Sequence, residues 1–271
     1  MRNIIIIIKE LHFYLGYIWL LARQRKKHSF DQHRFGVVWE YLNPIIQLAT
    51  WGFVFGVLRS RSDVNVSGVA VSFIPWLVVG MPAWQFMSGS IKKAGMSYSG
   101  SKFSFSKLDV PISILPGVHI ASKLSSYLVL VGVSIVVVIF SGFRPNLIWF
   151  QFFYYLIAML IFVYFASLLD SYILLKFRDY QNIMKPIWRM LFFFSGPIWR
   201  LEENFPRWFV RLMDLNPFSY IITGLRNTFF ANGINRDGWM ITTIAFWLIV
   251  ILFAYVSTYL HFKLRKHYKI N

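Results

Sequence analysis

The sequence predicts an all-α, polytopic membrane protein. It reads as six transmembrane helices, an N-terminal interfacial helix, and short re-entrant helices between spans five and six. Three observations carry this. Of 271 residues, 57% are hydrophobic and the mean hydropathy is +0.53, more apolar material than a soluble core of this size requires. The apolar residues come in long runs, enough for five to seven spans at about 20 residues each. The net charge of +17 is unevenly distributed, as expected where Lys and Arg collect on one side of a bilayer. The chain has no cysteine, which excludes disulfides, thiol catalysis and Cys-ligated metals.

Taken in order, the N-terminal run 4–22 is apolar, but its charges follow it in "RQRKK" and no small-residue cleavage site appears, so it does not read as a signal peptide. Lys9, Glu10 and His12 fall inside it, and each ion near a bilayer centre costs roughly 2.5–3.5 kcal/mol on insertion scales. A helix lying in the interface avoids that cost. The spans are read at 38–58, 71–91, 114–141, 147–175, 184–200 and 238–262. With both termini cytoplasmic, the inner segments hold 17 Lys and Arg and the outer segments 7, which supports that orientation. This divides the chain into an interfacial 1–37, a transmembrane domain 38–262 and a basic tail 263–271. Span five should kink or end at Ser195-Gly196-Pro197, since proline lacks a donor and clashes with the preceding turn. Residues 218–231 are too few to span and read, with 201–217, as short helices dipping into the outer leaflet.

Glu40, Asn43 and Pro44 stand at the threshold of the first span, beside Trp39 and Tyr41. They suit a chain that arrives along the membrane surface and then turns inward. The aromatic rings sit at headgroup level, and a proline near a helix start costs little because its missing N–H would be unpaired anyway. An ordinary span entrance fits the same residues.

The stretch "FGVVWEYLNPIIQLATWGFVFG" (35–56) resembles the first-span signature of ABC-2 type permeases that export cell-surface polysaccharides, LG-x-x-W-x-x-x-x-P, with Phe35 in place of leucine. "KLDVPISILPGVHI" (107–120), "KFRDYQNIMKPIWRMLFFFSGPIW" (176–199) and "NPFSYIITGLRN" (216–227) resemble later elements of that family. Gly196 between Ser195 and Pro197 is a departure that leaves the kink intact. Within the family the sequence looks most like the teichoic acid translocation permeases of the TarG type. The resemblance implies a homodimer paired with two copies of a separate ABC ATPase, which binds ATP and Mg, so that this chain needs no cofactor. It implies a bacterial plasma membrane, and an undecaprenyl-pyrophosphate-linked polymer as cargo, with no nucleic-acid partner.

The residues themselves supply further checks. No G-x-x-x-x-G-K-[ST] is present, and an ATP-driven machine needs that phosphate cradle on some chain. In the loop 92–113, Met96, Phe103, Phe105 and Leu108 are apolar among polar residues, followed by Asp109. They read either as an ATPase-docking surface or as a loop resting on the interface. Arg178 and Asp179 are a second candidate contact, or a solvated turn. Asp170 and Arg189 lie inside spans four and five, both roughly 8–9 Å from the same membrane face. They read as a buried ion pair. Alternatively Arg189, with Arg34, Trp39 and Lys185, forms a portal for pyrophosphate, whose geometry suits guanidinium. Tyr154, Tyr155, Tyr164, Phe192, Phe193, Phe194 and Trp199 are candidate channel aromatics, or lipid-facing packing.

The rivals are an exporter of O-antigen or capsule, a membrane-embedded transferase and a channel. A transferase needs a convergent Asp/His/Glu cluster, and His12, His28, His33 and His267 show no such spacing.

Overall fold

A computed structural model of the chain describes residues 2–30, 35–36, 38–58, 63–66, 68–100, 110–177, 179–198, 206–230 and 239–268. The described fold is all-α apart from one small hairpin. Helices α1 (Arg2–Phe13) and α2 (Leu15–Phe30) lead into α3 (Val38–Trp51), which continues as a π-helical segment, Gly52–Leu58. Strands β1 (Val64–Val66) and β2 (Val69–Val71) follow, then α4 (Phe73–Gly95), α5 (Ser97–Gly100), α6 (Ile114–Phe140), a 3₁₀ turn at Leu147–Phe150 and α7 (Gln151–Lys176). The chain ends in α8 (Tyr180–Phe194), α9 (Arg207–Asp214), α10 (Pro217–Phe230) and α11 (Trp239–Tyr268). The strands are antiparallel, with Val64 opposite Val71. Their turn carries Gly68 at φ +91°, a conformation open to glycine at no steric cost.

The expectation of six spans is corrected. Among the described residues, three helical segments are long and apolar enough to cross a membrane: Ile114–Phe140, Leu147–Lys176 and Trp239–Arg265. A fourth is reached only if α1 and α2, bent by 64°, count as one broken span. The other three expected spans fail for separate reasons. Regular α3 stops after 14 residues. Helix α8 has 15, short of the roughly 20 that cross the hydrocarbon. Helix α4 has 23 residues, but Pro75, Pro82, Gln85, Ser88, Gly89 and Ser90 dilute its apolar character. The single interfacial helix expected over 4–22 is two helices.

Helix α4 is the hub, packed on α6, α7 and α10, while α11 lies against α7 and α2 against α6. The core gathers Leu77, Met81 and Met87 of α4, Met159, Phe162 and Leu168 of α7, and Ile221 of α10, all essentially inaccessible. The Phe162 ring meets those of Phe218 edge-on at 5.2 Å and Phe253 stacked at 6.0 Å.

Pro82 shows how the hub tolerates a helix breaker. Proline has no N–H, so the carbonyl four residues earlier, Val78, loses its helical donor. The Ser134 hydroxyl of α6 donates to that carbonyl at 2.5 Å.

Charged residues near the N-terminus are tied into the bundle. Glu10 of α1 accepts from Arg265 of α11 at 2.7 Å and from the Ser113 hydroxyl. Glu40 is buried between the ammonium groups of Lys26, 3.3 Å away, and Lys123, 3.6 Å away. Lys26 also donates to the Tyr41 hydroxyl at 2.6 Å and to Ser125 at 2.9 Å. The glutamate at the threshold thus joins α2, α3 and α6. Pro44 lies six residues into α3 rather than at its first turn, so its ring interrupts an established helix.

Candidate functional site

A groove of about 710 Å³ runs between α3, α4, α7 and α8. Its floor is aromatic, supplied by three helices. Trp84 of α4 lies edge-on to Trp188 at 6.3 Å and to Phe192 at 5.7 Å, both on α8. Trp51 of α3 closes on Phe192 at 5.8 Å. Such edge contacts are favoured by the ring quadrupole and add to area burial. Beside the rings Gln47 lines the groove, its amide oxygen accepting from Gln85 at 3.1 Å, which leaves its own amide N–H groups to donate to a hydroxylated ligand.

The other part of the groove is polar. Lys92, at the end of α4, places its ammonium 4.9 Å from the centroid of Trp188, and burial holds its pKa below the ordinary lysine value. Lys185 donates to Asn182 at 3.0 Å, and Arg189 lines the groove with its side chain exposed. Tyr180, at the start of α8, bonds to the Asp170 carboxylate, and burial first, then this contact, raises the phenol above its usual value. Gly95 makes room for Asp170: a Cβ there would stand 2.0 Å from Oδ2. Aromatic faces, amides and three cations together can hold a sugar ring on the floor and an anionic group near the cations.

The expected Asp170–Arg189 pair does not form among the described residues. Tyr180 occupies the carboxylate, and Arg189 is exposed on the groove wall. Equal depth on neighbouring helices was not enough, because a hydroxyl at the start of α8 reaches Asp170 first.

Of the other expected residues, Lys185, Phe192, Phe193 and Met96 line the groove. Tyr154, Tyr155 and Tyr164 do not; they serve packing. Tyr154 shares hydroxyl contacts with Tyr220 at 3.0 Å and Trp247 at 3.0 Å. Tyr155 lies against Gly224, where a Cβ would stand 2.1 Å from its ring. Tyr164 donates to the Ser113 carbonyl at 2.9 Å. Phe194 packs edge-on against Phe209 at 5.4 Å. Trp39 is half-buried against Phe35 at 5.9 Å, away from the groove lining. Asp179 opens α8, its carbonyl accepting from Asn182 at 3.0 Å. Arg34, Phe103, Phe105, Leu108, Asp109, Arg178 and Trp199 lie outside the described residues.

Sequence reasoning missed Gln47, Trp51, Trp84, Lys92, Tyr180 and Trp188 as one lining. The available signal was Gln47 and Gln85, amides set within apolar runs, which by default mark an interior or a pathway.

Residues 17–230 match the model of the family "ABC-2 type transporter". Over 260 residues the chain is 21% identical to the O-antigen export system permease protein RfbA of Myxococcus xanthus, an alignment covering 93% of this chain and 95% of that protein.

Proposed function

The chain belongs to the ABC-2 type transporter family, and on that premise we propose that it is the permease subunit of an ATP-driven exporter carrying a lipid-linked surface polysaccharide across the plasma membrane. The groove carries this reading: its aromatic floor suits the apolar faces of sugar rings, and Lys92, Lys185 and Arg189 beside it suit a phosphate linkage. The sequence has no P-loop, so ATP hydrolysis belongs to a partner ATPase, in two copies beside two copies of this chain. Met96, exposed at the end of α4, and Asp179, at the start of α8, are the described members of the proposed ATPase contact. Phe103, Phe105, Leu108, Asp109 and Arg178 complete it. Arg34 and Trp39 remain the proposed entry for the pyrophosphate, ahead of Lys185 and Arg189. Both termini face the cytoplasm in this reading.

The likeness to the Myxococcus xanthus protein, which spans nearly both chains, supports an O-antigen-type or capsular polymer over teichoic acid. The motif resemblance alone favours teichoic acid. Reconstitution with the ATPase separates them. Hydrolysis should rise with a lipid-pyrophosphate-linked O-antigen and less with a lipid-linked poly(polyol phosphate); the reverse order would move the cargo to teichoic acid. Replacing Trp188 by alanine should lower export about tenfold, the worth of ~1.4 kcal/mol of stacking and cation–π contact. Undiminished export by Trp188→Ala and Trp84→Ala together would sink the groove as the transport path.

A further inference from the structure

Arg226 of α10 is 5% exposed, and its guanidinium joins three separate stretches of chain. Nη1 donates to the Gly196 carbonyl and Nη2 to the Pro197 carbonyl, each at 2.7 Å. Nε donates to the Trp76 carbonyl of α4 at 3.2 Å, and the guanidinium lies 3.3 Å from the centroid of the Trp76 ring. Two parallel donors on adjacent carbonyls, with a stacked plane behind them, use the rigid fork that arginine has and lysine lacks. Gly80, one turn beyond Trp76, is part of the seat: a Cβ there would fall 2.3 Å from Nη2. Gly196 adopts φ +70°, so the turn that ends α8 presents both carbonyls to one side. Asn216, which precedes α10, ties the same turn a second time by donating to the Ser195 hydroxyl at 3.0 Å.

This clamp acts on the two helices that face each other across the groove floor. Trp84 lies two turns along α4 from Trp76. Phe192 lies just before the clamped turn on α8. We propose that Arg226 is a positioning residue of the groove: by pinning the end of α8 to α4 it sets the separation of Trp84 from Trp188 and Phe192. The geometric part stands on the contacts above, and its importance for export rests on the groove being the transport path.

The chain has no cysteine, so paired cysteines can be introduced cleanly. In the full chain co-expressed with its ATPase, Trp84→Cys with Phe192→Cys reports the α4–α8 separation through a short bifunctional thiol reagent. Phe162→Cys with Phe253→Cys, whose native rings are 6.0 Å apart, reports α7–α11 packing as an internal control. Arg226→Met should slow the first cross-link about fivefold or more and leave the second unchanged. Arg226→Lys should also slow the first, since an ammonium cannot span both carbonyls in a plane. Gly80→Ala should reproduce the loss, and should add nothing in an Arg226→Ala background, where the guanidinium atoms that crowd the added methyl are gone.

An unchanged α4–α8 cross-link in Arg226→Met overturns the proposal. So does equal loss of both cross-links in Arg226→Lys and Gly80→Ala, which would make the residue a general fold determinant. Export is measured on cysteine-free Arg226→Lys and Gly80→Ala. A slowed α4–α8 cross-link with normal export upholds the clamp and overturns the groove as transport path.

Discussion

Helices α4 and α11 are both long and rich in apolar residues, and they meet opposite surroundings. In α4, 18 of 23 residues are buried by protein. In the apolar window of α11, 22% are. Helix α11 turns Phe246, Val250 and Ala254 inward, at the spacing of one helical face. Its opposite face exposes Ile244, Leu248, Ile251, Leu252 and Tyr255. The lesson is that apolar composition answers two different solvents. Where the surroundings are lipid, each polar backbone group must be satisfied within the helix, so α11 contains no proline. Where they are protein, neighbours supply what the helix lacks, and α4 keeps Pro82, Gln85 and a run of serine and glycine.

The comparison can be broken most sharply by truncating one buried and one exposed side chain. Met81 is fully buried and Leu248 is 61% exposed. Met81→Ala should cost about 2–5 kcal/mol through the cavity it leaves, and Leu248→Ala no more than about 0.5 kcal/mol. Loss of monodisperse protein on heating in mild detergent reads both. Equal thermal shifts would mean that α4 is not the hub.

A smaller effect is expected at Gly95. A methyl there would collide with the Asp170 carboxylate, so Gly95→Ala should destabilise by about 1–3 kcal/mol as an overpacked contact. Asp170→Ala should relieve most of it. Additive losses in the double variant would show that the two residues do not share the space.

The smallest effect tests the proline directly. Ser134→Ala withdraws the hydroxyl donor from the Val78 carbonyl and should cost about 1 kcal/mol. Adding Pro82→Ala restores a backbone N–H for that carbonyl and should recover part of the loss. If Ser134→Ala costs the same with and without proline, the hydroxyl is not covering for the missing donor. Ser141, whose hydroxyl bonds within its own helix at an exposed site, is the control and should tolerate alanine.

What could be read from residues alone was what depends on near neighbours in the chain. Unbroken apolar runs announce helices 114–140, 147–176 and 239–265 because length and composition along one helix settle whether it can cross hydrocarbon. The break at Ser195-Gly196-Pro197 follows from proline's missing donor, and α8 ends there. Motif order over the whole chain pointed to the family. Other features required the tertiary structure, because their partners are distant in sequence. Reading whole apolar stretches as spans passed over the prolines and polar residues that dilute α4 and could not see where regular α3 ends or how short α8 is, and so overcounted the spans. Depth counting paired Asp170 with Arg189, but the rotation of α8 offers Tyr180 instead. Trp51, Trp84 and Trp188 become one surface only when α3, α4 and α8 converge. Arg226, one basic residue in a short helix by sequence, becomes a clamp only because Gly80 and the turn at Gly196 leave a guanidinium-shaped space. Local chemistry along the chain determines which segments are helical and which can face lipid. Only packing decides which side chains share a cavity, since that depends on helix rotation and contact order, which no local pattern encodes.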